Sequence, residues 1–226
     1  MIVIRPQRSQ AVVMTKPKKT DPSTVSDDDD DAEAILRLAT QRGRELIASK
    51  AHYSGLRSLQ LIAGGIRRTP TSTRVELRGS CDLSNFDALQ SLGLMLQHSR
   101  KTTSVDLSWV GLGDAKAASL LRSLYHLKHV SELILCGNGL GQTSSSDYLK
   151  DFLRVNKSVV KLHLGANELG QVASKALAEG LRDNKTLEEL DLWNCSLGDE
   201  AGAQILDAAR TAQKLRVLRL NLNKLG

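Results

Sequence analysis

Aromatic side chains are scarce in this chain, at 3% of residues against 41% hydrophobic residues in all. The core therefore has to be aliphatic, and leucine dominates it. Cysteine is sparse and odd in number, at Cys81, Cys136 and Cys195. That excludes a disulfide framework in a chain of 226 residues and fits a reducing compartment. No apolar run approaches the roughly 20 residues of a membrane span. The apolar start Met1–Ile4 is too short for a secretory signal and runs into Arg5 and Pro6. The sequences Asn156-Lys157-Ser158, Asn184-Lys185-Thr186 and Asn194-Cys195-Ser196 therefore read as chance matches to the glycosylation acceptor.

Charge of one sign is missing from two stretches. Residues 1–20 carry Arg5, Arg8, Lys16, Lys18 and Lys19 without an acid, and residues 21–33 carry Asp21, Asp27 to Asp31 and Glu33 without a base. The first stretch has a faint likeness to a mitochondrial presequence, which its two prolines and poor apolar face argue against. Residues 34–79 hold nine Lys/Arg against Glu45 and Glu76, while the remainder is nearly neutral. With little to bury, residues 1–31 read as a disordered basic-then-acidic tail. Ser26 before the aspartates suits an acid-directed kinase, but a solvated charge run ahead of a helix explains the same residues. Helical spacing of Ala34, Ile35, Leu38, Leu46 and Ile47 predicts a helix over 32–53. Residues 32–74 then form an N-terminal cap of helix plus strand, with 56–78 read as two strands around a loop at 64–73.

What the chain has in abundance is repetition. VSELILCGNGLG from Val130, VVKLHLGANELG from Val159, LEELDLWNCSLG from Leu187 and LRVLRLNLNKLG from Leu215 align without gaps. The inner anchor falls at Leu133, Leu162, Leu190 and Leu218, and upstream at Val105 and Val75. A recurrence of 28 to 30 residues marks an array of stacked units. In each unit an L-x-L pair points one way at the period of a strand. The next leucine turns the chain back over the same core. Between them Asn138, Asn167, Cys195 and Asn223 occupy a bend that points inward, where a buried amide has to satisfy its donors and acceptors against neighbouring backbone. Val110 breaks that series in an early unit, as do Ser80 or Cys81 in another. Helices are expected between the strands at 84–98, 114–127, 145–155, 171–183 and 199–212.

The pattern L-x-x-L-x-L-x-x-(N/C)-x-L-G resembles the leucine-rich-repeat superfamily, and its period and mixed Asn/Cys position resemble the ribonuclease-inhibitor-like subclass. The resemblance covers 75–226. It implies an α/β fold, a right-handed solenoid with a curved parallel sheet inside and helices outside. It implies little about activity, since proteins of this kind serve as inhibitors, GTPase activators, cytoskeletal caps and immune receptors. The last strand, with Leu218, Leu220 and Leu222, is followed by no closing helix in this sequence, so either the sequence is a fragment or a partner covers the open strand edge.

The tempting motifs dissolve into architecture. The run Gly137-Asn138-Gly139-Leu140-Gly141 has the look of a phosphate cradle, yet it lacks a lysine at the P-loop spacing and sits in register with the repeat turns. His126 and His129 are three apart, as zinc ligands can be, but no further ligand stands nearby, and a helix C-terminus attracts histidine by its dipole. The reading is therefore of no catalytic residue, no cofactor, no metal and no small-molecule substrate. What is free of core duty is the concave face and its rim, where Asp106, Trp109, Ile134, His163, Asp191, Trp193 and Arg219 are the candidate partner-binding residues. Tryptophan is enriched in binding hot spots, and the competing explanation is that both rings merely shield turn leucines. A basic cap of Arg37, Arg42, Arg44, Arg67, Arg68, Arg74 and Arg78 suits an acidic surface such as tubulin's, or an RNA backbone. The expectation is a non-catalytic protein–protein interaction scaffold in a larger intracellular assembly, cytoskeletal or ciliary. Protein partners are expected at the concave face and the open C-terminal end, without membrane attachment. The alternatives are a GTPase activator of the Ran type and a structural subunit of an RNA–protein assembly.

Overall fold

The computed structural model describes residues 99–226 except 142, together with 45–47, 53–54, 74–79, 81–82 and the helical positions 89, 92–93 and 96–97. The described residues include nine short strands, which alternate with helices from Ser104 onward. They are β1 (Glu45–Ile47), β2 (Tyr53–Ser54), β3 (Arg74–Glu76), β4 (Cys81–Asp82), β5 (Ser104–Asp106), β6 (Glu132–Ile134), β7 (Lys161–His163), β8 (Glu189–Asp191) and β9 (Val217–Arg219). The helices described in full are α1 (Gly113–Leu124), α2 (Thr143–Val155), α3 (Gly170–Asp183) and α4 (Asp199–Thr211). Strands β1, β3 and β5 to β9 form one parallel sheet in that order, and β2 pairs with β4 in a second.

The register follows the repeat. Val75 pairs with Val105, and Leu133, Leu162, Leu190 and Leu218 follow in line across the sheet. These anchors, and the second anchors Leu77, Leu107, Leu135, Leu164 and Leu192, are fully buried. A leucine so buried contributes about 1.5–3 kcal/mol, so two anchors supply about 3–6 kcal/mol to each unit. The helices close the other side with Leu120, Leu121 and Leu124 of α1, Ala173, Leu177 and Leu181 of α3, and Ala201, Ile205 and Ala209 of α4. Alanine at these positions lets each helix approach the strand layer closely. Among the described residues, the one large aromatic buried with them is Phe152.

Inter-repeat polar bonds hold the units in line. The Asn138 side chain donates from Nδ2 to the Leu107 and Leu135 carbonyls at 2.8 and 3.1 Å, and its Oδ1 accepts from the Val110 amide at 3.1 Å. Asn167 donates to the Leu135 and Leu164 carbonyls and accepts from the Asn138 and Leu140 amides. Cys195 keeps the donor half of the rung, its Sγ lying 3.3 Å from the Leu164 carbonyl. It has no oxygen for the acceptor half, and the Leu169 amide bonds instead to the Asn167 and Cys195 carbonyls. At Val110 the side chain offers neither half, as the sequence predicts.

The sequence misplaces one N-terminal element. Glu45–Ile47, expected inside a helix, is strand β1, in register with β3 at a separation of 29 residues, as Glu45 faces Arg74. Tyr53–Ser54 is likewise extended. Adjacent Leu46 and Ile47 fit a helical stripe and a strand equally well, and pairing with β3 decides between them. The rest of the expected helix, the proposed tail 1–31, and 56–73 of the expected strand pair lie outside the described residues. The expected helices after residue 110 all form, with ends within two or three residues of the predicted ones.

Candidate functional site

The concave face is written by the residues that flank each buried anchor. One column across the sheet reads Ser104, Glu132, Lys161, Glu189, Val217, and the next reads Asp106, Ile134, His163, Asp191, Arg219. The face is polar and largely self-paired. Ser104 Oγ donates to Glu132 Oε2 at 2.6 Å. Asp106, buried, accepts the Ser108 amide at 2.9 Å and its hydroxyl at 2.6 Å. Arg219 bonds through NH1 to Glu189 Oε1.

His163 stands between two carboxylates, with Nε2 3.7 Å from Glu132 Oε1 and Nδ1 3.6 Å from Asp191 Oδ2. Its Nε2 is buried without a hydrogen-bond partner. Asp191 is itself only 2% exposed and accepts the Trp193 amide at 3.2 Å, which ties the acid at the centre of the face to the tryptophan at its margin. Beside them lies the Cys136 thiol. Burial first, then the Asp191 carboxylate, push it up to about 11, so it is a protonated, inert group.

Beyond the second anchor the chain turns in a left-handed conformation at the same place in every repeat, at Gly79, Trp109, Gly137, Ala166, Asn194 and Leu222. Glycine takes that backbone freely, whereas Trp109, at φ 60°, does so at a steric cost of about 1–2 kcal/mol. The turn swings the Trp109 indole onto Gly137 of the next repeat, where a Cβ would overlap the ring. Trp193 leans the opposite way, onto Gly165 of the preceding repeat. Gly137 and Gly165 are hydrogen-bonded neighbours, N to O at 3.0 Å. The two tryptophans thus converge on one glycine seam between adjacent strands, and Trp109 leaves 48% of its surface in solvent.

Of the candidates named from sequence, this geometry brings together Asp106, Trp109, Ile134, His163, Asp191 and Trp193, with Arg219 at the far side. In the proposed basic cap, Arg74 lies on β3 beside Glu76 at 3.2 Å and Arg78 is exposed, while Arg37, Arg42, Arg44, Arg67 and Arg68 lie outside the described residues. At the proposed open end, β9 is an edge of the sheet. Leu218 and Leu220 are nevertheless buried by the preceding unit, so Leu222, at 73% exposure, is the one of the three that faces solvent. The glycines of 137–141 form repeat turns, and among the described residues no group of His, Cys, Asp or Glu is arranged to hold a metal. No helix of the described residues is long and apolar enough to cross a membrane.

Sequence reasoning missed a second ladder. Asn156, read there as a chance acceptor, is buried. It takes the Ser158 and Val159 amides at 3.0 and 2.8 Å and donates to the Leu124, Tyr125 and Leu127 carbonyls of the previous repeat. Asn184 does the same one unit later, to the Leu153 carbonyl and from the Thr186 and Leu187 amides. The spacing of 28 residues between them is the signal that marks them as repeat positions.

No family model and no curated protein matches the chain. Solved structures do match. A structure titled Leiomodin-1 actin-binding site 2 is 17% identical with a TM-score of 0.52, over 68% of this chain and 86% of that one. A tropomodulin C-terminal domain from Caenorhabditis elegans is 16% identical with a TM-score of 0.51, over 68% and 92%. Both likenesses concern the fold. Together with the repeat register and the asparagine ladder, they identify the chain as a leucine-rich-repeat solenoid.

Proposed function

We propose that the chain is a non-catalytic scaffold whose concave face binds a protein partner within a cytoskeletal assembly. The observation that carries this reading is the convergence of Trp109 and Trp193 on the Gly137–Gly165 seam, next to a polar face on which Arg219 bonds Glu189 and His163 stands between Glu132 and Asp191. A pair of indoles beside polar groups offers apolar contact area with hydrogen-bonding groups at its edge, which is how interface hot spots are composed. Tropomodulin-like folds point to the cytoskeleton, since the leiomodin structure carries an actin-binding site, and actin is the first partner to try. The period and the mixed Asn/Cys rungs support the ribonuclease-inhibitor-like subclass, and an intracellular location follows from the same reading.

The test is affinity capture of native partners with crosslinking, run in parallel with co-sedimentation on actin filaments, for the wild type and for Trp109→Ala/Trp193→Ala. Capture of cytoskeletal proteins, reduced at least about tenfold by the double substitution, is expected from the loss of two hot-spot residues. Partners held undiminished by that variant, or a marked stimulation of GTP hydrolysis by a small GTPase, would overthrow the reading.

A further inference from the structure

The loops that lead from each helix into the next strand carry a feature that neither the core nor the concave face uses. Residues 99–103, 126–131, 156–160 and 212–216 contain no acid, and the loop 184–188 holds a single one, Glu188, at its junction with β8. Arg100, Lys128, Lys157 and Lys185 occupy the same place in successive repeats, and Lys214 follows one residue past that place in the next. All five are exposed. The parallel arrangement puts all these loops at one rim of the solenoid, at the helices' C-terminal ends.

Two ordinary explanations account for part of the charge there and not for the row. Cations offset the negative end of a helix dipole. Arg122, Arg154, Arg182 and Arg210, in the last helical turns, already do so. Ion pairing between helices accounts for Arg154 with Asp183 and Arg182 with Asp207, at 2.8 and 2.9 Å. Once those are set aside, Arg100, Lys128, Lys157, Lys185 and Lys214 remain; Lys157 also donates to the Arg154 carbonyl at 2.6 Å and so caps α2, and none of the five makes an ion pair with any described residue. Their loops are also held stiffly. Buried Asn156 and Asn184 close the two loops that carry Lys157 and Lys185 and tie each to the unit before it. The row is therefore spaced in advance, which lowers the ordering cost of a ligand that matches it.

The spacing narrows the ligand. Neighbouring loops lie between the strand pitch of about 4.8 Å and the helix separation of about 8–10 Å. An extended peptide places same-side residues about 6.6 Å apart. Among the described residues no Phe, Tyr or Trp stands free along these loops for base stacking, and the exposed rings there are the imidazoles of His126 and His129 in one loop. Tyr125 packs against Tyr148 and gives its hydroxyl to the Tyr148 carbonyl. We infer that this rim docks an extended acidic segment of a partner protein, carboxylates at alternate positions meeting successive cations, on a surface distinct from the concave face.

The test measures binding of a fluorescent peptide of alternating Glu and Ser to the full chain by anisotropy, beside single-stranded and duplex RNA of equal charge. Lys128→Glu/Lys157→Glu/Lys185→Glu should weaken peptide binding about tenfold or more, from three exposed pairs each reversed in sign. Lys116→Glu/Lys175→Glu/Lys224→Glu, with the same change in net charge away from the rim, should weaken it less than about threefold by long-range repulsion alone. A glutamine triple at the rim serves if the reversed one loses its circular dichroism, and carbodiimide should crosslink the peptide to Lys128, Lys157 and Lys185 in the wild type. Equal losses from rim and control triples, crosslinks elsewhere, or tighter binding of either RNA than of the peptide would overturn the proposal. The tryptophan double variant should bind the peptide as the wild type does, so failure at the rim and failure at the concave face are separately visible.

Discussion

Asn167→Ala isolates what a single rung of the ladder contributes. The side chain is 1% exposed and makes four hydrogen bonds of 3.2 Å or less, besides a long one to the Gly165 carbonyl at 3.5 Å. The two carbonyls it serves keep other donors, Leu135 from Asn138 Nδ2 and Leu164 from the Cys195 thiol. The two amides do not. The Asn138 and Leu140 N–H groups, in residues 2% and 1% exposed, would be buried without an acceptor. Each costs about 1–3 kcal/mol, so the substitution should remove about 3–5 kcal/mol. Asn223→Ala strips the same two kinds of amide, at Cys195 and Leu197, whose residues are also buried, but Asn223 itself is half-exposed, so cutting it back should open both amides to water and cost about 1–2 kcal/mol. Urea unfolding followed by circular dichroism gives the two losses, and hydrogen exchange should show the Asn138 and Leu140 amides deprotected in the first variant. A loss below about 1 kcal/mol for Asn167→Ala, or one no larger than that of Asn223→Ala, would refute the assignment of stability to buried rungs.

Gly137→Ala should cost about 1–3 kcal/mol, since its backbone is left-handed and the new methyl displaces the Trp109 ring; unchanged tryptophan emission would count against the stacking. The Cys136 and Cys195 thiols, raised by burial to about 11 and about 12, should resist disulfide reagents at pH 8 until the chain unfolds. Because the unfolded thiols ionise near 9 while the folded ones hold their protons, stability should fall as pH rises from about 9 through 11 and 12, which alkaline denaturant titrations would read. Asp114 is raised by partial burial, but hydrogen bonds from Ser145 and Ser144 outweigh this and hold its carboxyl below 3.8. Its contribution, present above that value, should be lost as pH falls below it, and Asp114→Ala should flatten the acid limb of the stability curve.

The fold was legible because each unit repeats a local rule. Leu133 and Leu135 announce a strand by their period of two, Ala173, Leu177 and Leu181 a helix by theirs, and Asn138 and Asn167 a buried bend by recurring between them. The concave candidates followed by subtraction, as the residues between anchors. What escaped reading were positions whose meaning lies in the neighbouring repeat. Asn156 resembles a surface acceptor until its amide meets the Leu124 and Leu127 carbonyls about 30 residues back. Leu46 and Ile47 fit a helix until β3 is placed beside them.

By itself, then, the sequence determined the solenoid, its period, its anchors and its alternation of strand and helix, since these depend on spacing within one unit. Only the tertiary structure decided that Trp109 and Trp193 lean toward each other over Gly137 and Gly165, that Leu218 and Leu220 are already covered, and that a row of exposed cations runs along one rim. Each of those depends on how one repeat stacks on the next. Stacking couples residues 28 or 29 apart, through backbone direction and close approach that local composition does not encode.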